Sequence, residues 1–266
     1  MKREKSSAKK SLGQNFLSSE KILAEIVAAA ALGKSDLVLE IGPGRGSLTK
    51  KLLSVAGEVV AVEKDNGLIS FLKEKFREEI AEGKLTLISG DILDISVASL
   101  GLSNSDYSIV ANIPYYITGE LLRRFLSAGK KPQQMVLLVQ KEVARRIVAS
   151  DKKESVLSLS VKAYGNPKYV KTIPARCFKP TPKVDSALLT IKNISKYFFK
   201  DFSEQDFFKL IKAGFSHKRK KLIRNLEVLF KKEKLDKAFE TCGLEERARA
   251  EDLGLGDWAS LLKTLN

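Results

Sequence analysis

The segment Asn112-Ile-Pro-Tyr-Tyr116 carries the residue types best suited to chemistry in this chain. The lone pair of an exocyclic amine on adenine is delocalised into the ring, so transfer of an alkyl group to it is helped when acceptors hold the amino hydrogens. The Asn112 side-chain oxygen and the backbone carbonyl of Ile113 or Pro114 are such acceptors. The Tyr115 ring can stack on an extruded base, and positioning then supplies most of the catalysis. Taken alone, the segment is better explained as an Asn-Pro turn packed by two tyrosines.

A glycine-rich turn, Gly42-Pro-Gly-Arg-Gly46, lies between a predicted strand and a predicted helix. Nucleotides bind at such turns because glycine lets a ligand approach the backbone closely. The spacing differs from GxGxxG and lacks the Gly-Lys-Ser/Thr of a P-loop, so we expect a ligand less anionic than a dinucleotide. A purely structural turn is the alternative, since strand-to-helix turns also use glycine.

Two carboxylates, Glu63 and Asp91, follow the next two predicted strands. At the end of its strand, Glu63 can accept hydrogen bonds from both ribose hydroxyls of an adenosine-type ligand. Asp91 can accept one from an adenine amino group. The alternatives are a solvent-facing loop carboxylate for Glu63 and a helix-capping aspartate for Asp91.

The elements that position these residues follow from the apolar pattern between Asp36 and Gln140. Short apolar runs alternate with helical periodicity, which predicts a doubly wound α/β domain with a parallel sheet. Two later runs, Ser158–Tyr164 and Val184–Ile191, are predicted to extend the sheet in antiparallel fashion. The predicted strands of the first part are Asp36–Glu40, Glu58–Val62, Leu85–Ser89, Tyr107–Ala111 and Met135–Gln140, and the predicted helices are Ser47–Val55, Asn66–Ile80 and Gly119–Leu126.

Composition separates a second domain and limits the partners. Residues 1–192 are predicted to form the α/β domain, and residues 193–266, which are helical and basic, a small α-helical domain that binds RNA. The formal net charge of +15 over 266 residues favours a polyanionic partner, nucleic acid first. A solubilising charge and an anionic membrane surface are the alternatives.

Location and metal content are also predicted from composition. No window approaches the length of a membrane span, and Met1–Lys10 lacks the apolar centre of a secretory signal, so we expect a cytoplasmic protein. Cys177 and Cys242 lie far apart without metal-ligand spacing, so no metal site is predicted and both are expected to be reduced thiols.

A basic run, His217 to Lys221 with Arg224, is predicted to bind RNA phosphates. No Asp or Glu occurs from Lys209 to Asn225, so the charges repel one another unless an anion neutralises them. On a continuous helix Arg219 would fall on the apolar side and be the weakest member. A solvated helix face is the alternative. The candidate RNA-binding residues are Lys218, Arg219, Lys220, Lys221 and Arg224.

The motifs, taken together, resemble the KsgA family of small-subunit ribosomal RNA adenine dimethyltransferases over nearly the whole chain. The resemblance implies a Rossmann-like S-adenosylmethionine-dependent methyltransferase domain with a small helical C-terminal domain. It rests on Gln14-Asn-Phe-Leu17, Glu40-Ile-Gly-Pro-Gly44, Glu63, Gly90-Asp91, Asn112-Ile-Pro-Tyr115, Gln140-Lys-Glu-Val143 and Phe178-Lys-Pro-Thr-Pro-Lys-Val-Asp-Ser-Ala187. By the same resemblance S-adenosylmethionine would contact Asn15, Leu17, Gly42, Glu63, Asp91 and Asn112, and the target adenine would contact Asn112, Pro114 and Tyr115.

The resemblance implies dimethylation of N6 on two adjacent adenines in the 3'-terminal hairpin loop of 16S ribosomal RNA. The partner would be the 30S particle, the protein a monomer, and its wider role small-subunit biogenesis. An Erm-type methyltransferase of large-subunit RNA is the nearest alternative, but Gly214–Leu226 and Arg249–Leu253 look like KsgA-family signatures that Erm proteins generally lack. A largely non-catalytic assembly factor is a further alternative. A nucleotide-dependent oxidoreductase is the weakest.

Overall fold

The chain is described by a computed structural model that covers residues 14–102 and 105–266. Its contacts divide it into two compact units. The sheet unit comprises the described residues up to Ala144 together with Lys168–Ile194, and the helical unit comprises Arg145–Pro167 and Ser195–Asn266. The predicted boundary after residue 192 is close to the division at Ile194, but no pattern in the sequence indicates that residues 145–167 belong with the C-terminal helices.

The described residues form the following elements. The strands are β1 Phe16–Leu17, β2 Leu37–Ile41, β3 Glu58–Glu63, β4 Leu85–Ser89, β5 Tyr107–Asn112, β6 Gln134–Gln140, β7 Asn166–Ile173, β8 Phe178–Lys179 and β9 Ser186–Lys192. The helices are α1 Glu20–Ala30, α2 Ser47–Val55, α3 Asn66–Lys75, α4 Arg77–Ala81, α5 Thr118–Ser127, α6 Lys141–Val148, α7 Val156–Lys162, α8 Glu204–Gly214, α9 Leu222–Leu226, α10 Lys232–Thr241 and α11 Leu255–Leu265.

A seven-stranded sheet in the order β4-β3-β2-β5-β6-β9-β7 is the frame of the sheet unit. Strands β2 to β6 are parallel, and β9 runs antiparallel to β6. The parallel strands are near-continuous apolar runs because helices cover both faces of such a sheet. The predicted α/β class with a helical C-terminal part is confirmed.

The strand order reverses between β2 and β5, which lie side by side in register from Leu37 opposite Tyr107. From β2 the chain proceeds outward to β3 and β4, and β5 then starts the other half of the sheet. Ligands of doubly wound sheets bind at this reversal, outside the carboxyl ends of the strands. The residues that follow β2 and end β5, the glycine turn and Asn112, therefore lie at the expected place for a ligand.

The predicted strand Ser158–Tyr164 is wrong, because this segment lies within and just after helix α7. The Ser155 hydroxyl accepts from the Ser158 backbone N–H at 3.1 Å, and the Ser158 hydroxyl accepts from the Ser155 N–H at 2.7 Å. This reciprocal capping starts a helix, which then buries Leu159 in the core of the helical unit. The sheet is extended instead by β7 and by β9, and β9 matches the predicted Val184–Ile191 strand.

The helical unit has its own core, built around Trp258 and a cluster of phenylalanines. Phe198, Phe199 and Phe207 have ring centroids 5.1–5.7 Å apart in edge-on pairs, an arrangement that aromatic rings prefer. None of the described helices is long and apolar enough to cross a membrane. Met1–Lys10, which lack the apolar centre of a secretory signal, lie outside the described residues.

Candidate functional site

The glycine turn after β2 leaves backbone uncovered at the end of the sheet. Gly42 has a φ of 69°, and a Cβ there would meet no protein atom within 4 Å. Gly44 has a φ of 59°, and a Cβ there would lie 2.9 Å from the Phe16 ring. The first glycine therefore keeps a surface open, while the second lets the N-terminal segment pack against the turn.

Glu63, at the end of β3, is the carboxylate that holds this turn. It is 6% exposed, which excludes a solvent-facing loop carboxylate. One oxygen accepts from the Gly44 N–H at 3.0 Å and the other from the Asp65 N–H at 2.9 Å. Burial raises the pKa of Glu63, and the two backbone donors oppose that shift. Each oxygen can accept a further hydrogen bond, as the ribose assignment requires.

Glu40, inside β2, was expected only as part of a family motif, and sequence reasoning gave it no role. It is 1% exposed and lines the same cleft as Gly42. Burial raises its pKa to about 8, while the neighbouring Thr49 hydroxyl opposes the shift and the Glu63 charge adds to it. No periodicity distinguishes a buried glutamate in an apolar strand from an exposed one, so the sequence did not indicate this environment.

Asp91 follows β4, and one of its oxygens makes the kind of capping hydrogen bond that was the alternative prediction for this residue. One carboxylate oxygen accepts from the Leu93 N–H at 3.0 Å in a capping arrangement, and the other pairs with the Lys64 ammonium at 2.6 Å. Burial acts to raise its pKa, but the Lys64 and Leu93 hydrogen bonds outweigh burial and lower it. The guanidinium of Arg124 donates to the carbonyls of Leu93 and Ile95, which fixes the loop that carries Asp91.

The N-terminal segment reaches the cleft through a second, two-stranded sheet. Strand β1 pairs antiparallel with β8, so that Leu17 lies opposite Phe178. The Asn112 amide nitrogen donates to the Asn15 carbonyl at 3.0 Å. Because that bond orients the amide, the Asn112 Oδ1 is left as the acceptor of this side chain, as the amine-binding role requires.

Tyr115 is held in place by its hydroxyl. This hydroxyl shares a 2.7 Å hydrogen bond with the hydroxyl of Ser186, a fully buried residue at the start of β9. Burial raises the pKa of Tyr115, so the phenol remains neutral at physiological pH. The ring is therefore an uncharged, fixed surface.

Every residue predicted to contact the cofactor or the target base lines one cleft at the carboxyl ends of the parallel strands. We call it the strand-end cleft. It is lined by Asn15, Leu17, Gly42, Glu63, Asp91, Asn112, Pro114 and Tyr115, together with Glu40, Lys64 and Tyr116 among others.

The predicted RNA-binding residues lie in the helical unit, and one expectation about them, the absence of acidic partners, is wrong. Helix α9 begins at Leu222, so residues 218–220 form a turn and the helical-face argument against Arg219 does not apply. Acidic partners are present: Lys221 pairs with Glu246 at 2.7 Å and Arg224 with Glu227 at 2.9 Å. Both acids lie outside the segment Lys209–Asn225, which contains no Asp or Glu.

The other three candidate RNA-binding residues, Lys218, Arg219 and Lys220, are exposed, and we call them the basic turn. Among the described residues its three side chains form no ion pair. The buried Asn225 amide donates to the carbonyls of Gly214 at 2.6 Å and His217 at 3.1 Å, which fixes the start of the turn.

Comparison with known proteins identifies the family. A model described as ribosomal RNA adenine dimethylase matches residues 5–266. The chain belongs to the ribosomal RNA adenine dimethylase family. This dimethylase is 43% identical over 256 residues to a ribosomal RNA small subunit methyltransferase A of Dehalococcoides mccartyi, covering 96% of this chain and 87% of that one. It is 41% identical to the protein of the same name from Thermosynechococcus vestitus, covering 97% of each.

Solved structures agree with the fold of the dimethylase. A dimethyladenosine transferase from Plasmodium falciparum superposes with a TM-score of 0.79 at 28% identity, covering 92% of this chain and 95% of that one. The 23S rRNA methyltransferase ErmE superposes with a TM-score of 0.78 at 24% identity, covering 94% and 99%. The second likeness shows the fold and no more. The predicted resemblance and the Rossmann-like methyltransferase fold are confirmed.

The raised pKa of Glu40 predicts a specific dependence of stability on pH. In the folded protein the carboxyl group has a pKa of about 8, above its ordinary value of 4.5. Its contribution to the free energy of unfolding is fully present below pH 4.5 and is lost as the pH rises through 8. The variant Glu40→Gln, neutral at every pH, should therefore lose less stability than the wild type between pH 6 and 9. The wild-type slope from Glu40 approaches about 1.4 kcal/mol per pH unit.

Urea unfolding at pH 6, 7, 8 and 9 measures this difference, with Glu58→Gln as the control at an exposed glutamate. Stability curves of Glu40→Gln and wild type that stay parallel over this range would show that Glu40 ionises normally.

Proposed function

We propose that this dimethylase transfers methyl groups to N6 of adenines in small-subunit ribosomal RNA. The observation that carries the proposal is the Asn112 amide, oriented by the Asn15 carbonyl at the reversal of strand order, beside the fixed Tyr115 ring. The identity of 41–43% with proteins named small subunit methyltransferase A supports the choice of RNA.

The methyl donor is S-adenosylmethionine, and the strand-end cleft fits it. Gly42 leaves an uncovered stretch of backbone, and a buried carboxylate, Glu63, has oxygens free to accept more hydrogen bonds. We assign Asn15, Leu17, Gly42, Glu63, Asp91 and Asn112 to this ligand, with Glu63 accepting from the ribose. When bound, the cofactor supplies an electrophilic sulfonium methyl group.

The residues of the chain act by positioning. Asn112 Oδ1 and the backbone carbonyl before or at Pro114 accept the two amino hydrogens of adenine, and Tyr115 stacks on the extruded base. Since the amine attacks while it still carries its protons and loses one afterwards, no strong base is needed near N6. Alignment of the amine within the partly buried cleft is then the main contribution to the rate.

The substrate, we propose, is the pair of adjacent adenines in the 3'-terminal hairpin loop of 16S RNA within the 30S particle. Loop adenines are already partly unstacked, which lowers the free energy needed to extrude them. The protein would act as a cytoplasmic monomer and contribute to small-subunit biogenesis. The basic turn would bind RNA phosphates, because its three cations have no acidic partner among the described residues.

The direct test is methyl transfer by the purified protein to small and large ribosomal subunits from cells that lack this dimethylase. Radiolabelled S-adenosylmethionine gives the stoichiometry, and primer extension gives the positions. We expect label in the small subunit at two neighbouring adenines. Label in the large subunit would support the Erm-type alternative, and no label in either would favour an assembly factor without catalysis.

Replacing Asn112 tests the proposed chemistry. Asn112→Ala should reduce the rate constant for methyl transfer at least ~100-fold, because the amine loses the acceptor that orients it. Thermal unfolding should change little. The matched control is Asn66→Ala, at an exposed asparagine that begins α3 and lies outside the cleft. A rate within a few-fold of wild type would remove Asn112 from the mechanism.

Replacing the basic turn tests RNA binding. Lys218, Arg219 and Lys220 changed together to Ser should weaken binding to the small subunit and flatten its salt dependence by about 0.7–0.9 per lost phosphate contact. Lys221 and Arg224 should matter less, because Glu246 and Glu227 already compete for them.

The control for this experiment removes the same charge elsewhere, by changing Lys73, Arg77 and Lys84 in the sheet unit to Ser. Cofactor affinity should be unchanged in both triple variants. If the two variants show the same salt slope, the basic turn is a solvated surface and not an RNA contact.

A further inference from the structure

Tyr116 is an aromatic side chain that the proposed reaction does not yet use. It is 65% exposed, although its neighbours Ile117 and Thr118 are buried. It lines the strand-end cleft. Among the described residues its hydroxyl makes no hydrogen bond and its ring stacks on no other ring. An exposed aromatic surface at the edge of a ligand cleft is the form that base-stacking sites take in proteins that bind single strands.

The local backbone explains why Tyr115 and Tyr116 have different surroundings. Both lie in a short 3-10 helix, Tyr115–Ile117, in which successive side chains are about 120° apart. One ring is therefore directed to Ser186, and the next is directed outward. Backbone and side-chain hydrogen bonds fix this turn: Ile117 N–H donates to the Pro114 carbonyl at 3.2 Å, and the Thr118 hydroxyl donates to the Tyr115 carbonyl at 3.0 Å.

A fixed turn matters because an exposed ring on a mobile loop would lose conformational freedom on binding a base. Here the backbone is already ordered by the burial of Ile117, so little entropy is lost. Tyr115 and Tyr116 are consecutive residues that both line the strand-end cleft. If an extruded adenine stacks on Tyr115, a base adjacent to it in the strand can reach Tyr116.

We propose that Tyr116 is a stacking platform for the nucleobase that flanks the target adenine in a single-stranded loop. This inference rests on the proposed function and deepens it: Tyr115 holds the base that reacts, and Tyr116 holds its neighbour. The site thereby recognises two consecutive unstacked bases, and duplex RNA, whose bases are stacked on one another, is a poor substrate.

Kinetics of Tyr116 variants on small subunits that lack the methylation test this. Tyr116→Ala should raise KM for the subunit roughly 5- to 150-fold, the range expected for loss of one stacked base, with kcat within a few-fold of wild type. Tyr116→Phe keeps the ring and should retain near wild-type KM. Tyr116→Leu keeps apolar area but has no ring face, so its KM for the subunit should be higher than that of Tyr116→Phe. The dissociation constant for S-adenosylhomocysteine, measured by calorimetry, should not change in any of them.

The matched control is Tyr197→Ala, at a tyrosine of the helical unit that is 71% exposed. It should leave KM unchanged. Equal KM values for Tyr116→Ala and wild type would overturn the proposal, as would a Phe variant as weak as Ala, which would indicate a hydroxyl contact. Weakened binding of S-adenosylhomocysteine would assign the ring to the cofactor instead. Wild-type protein that methylates neither subunit would overturn the proposed function itself, whatever the variants do.

Discussion

The buried carboxylate of Glu63 is the interaction on which the cleft depends. Removing a carboxylate from water is unfavourable unless donors replace the lost hydration, and here the N–H groups of Gly44 and Asp65 do so. The same two bonds join the turn after β2 to the end of β3. Asp65 in turn accepts from the Gly67 N–H at the start of α3 and from the Gln14 amide. Two carboxylates, Glu63 and Asp65, thus connect the glycine turn, the end of β3, helix α3 and the N-terminal segment.

The N-terminal segment closes this arrangement from the other side. The Phe16 ring packs where Gly44 lacks a side chain, and the Arg45 guanidinium lies 4.9 Å from its centroid. The preceding residue, Asn15, accepts from the Asn112 amide through its backbone carbonyl and so sets which atom of that amide is left to accept. The proposed cofactor contacts and the proposed amine acceptor are therefore linked through one short segment, Asn15 and strand β1. A change in this segment should affect both functions together.

The sequence predicted the parts of this structure that depend on local pattern. Apolar runs located the five parallel strands to within a residue or so, and the polar residues at their ends met in one cleft because parallel strands present the same ends to one edge. The predicted strand at Ser158–Tyr164 is wrong because reciprocal hydrogen bonds between Ser155 and Ser158 start helix α7 there. Other features depend on contacts between residues that are distant in sequence, which no local pattern predicts. The acid that pairs with Lys221 is Glu246, and the burial of Glu40 depends on the elements packed over it.

The most direct test of this account is the affinity of Glu63→Gln for S-adenosylhomocysteine, measured by calorimetry beside Glu58→Gln, a charge-matched change at the exposed start of β3. The Gln side chain keeps the volume but replaces one acceptor oxygen with a donor that faces backbone N–H or ribose hydroxyl groups. We predict a loss of roughly 1–3 kcal/mol in binding free energy for Glu63→Gln and none for Glu58→Gln. Equal affinities of the two variants and the wild type would contradict the claim that Glu63 organises the cofactor site.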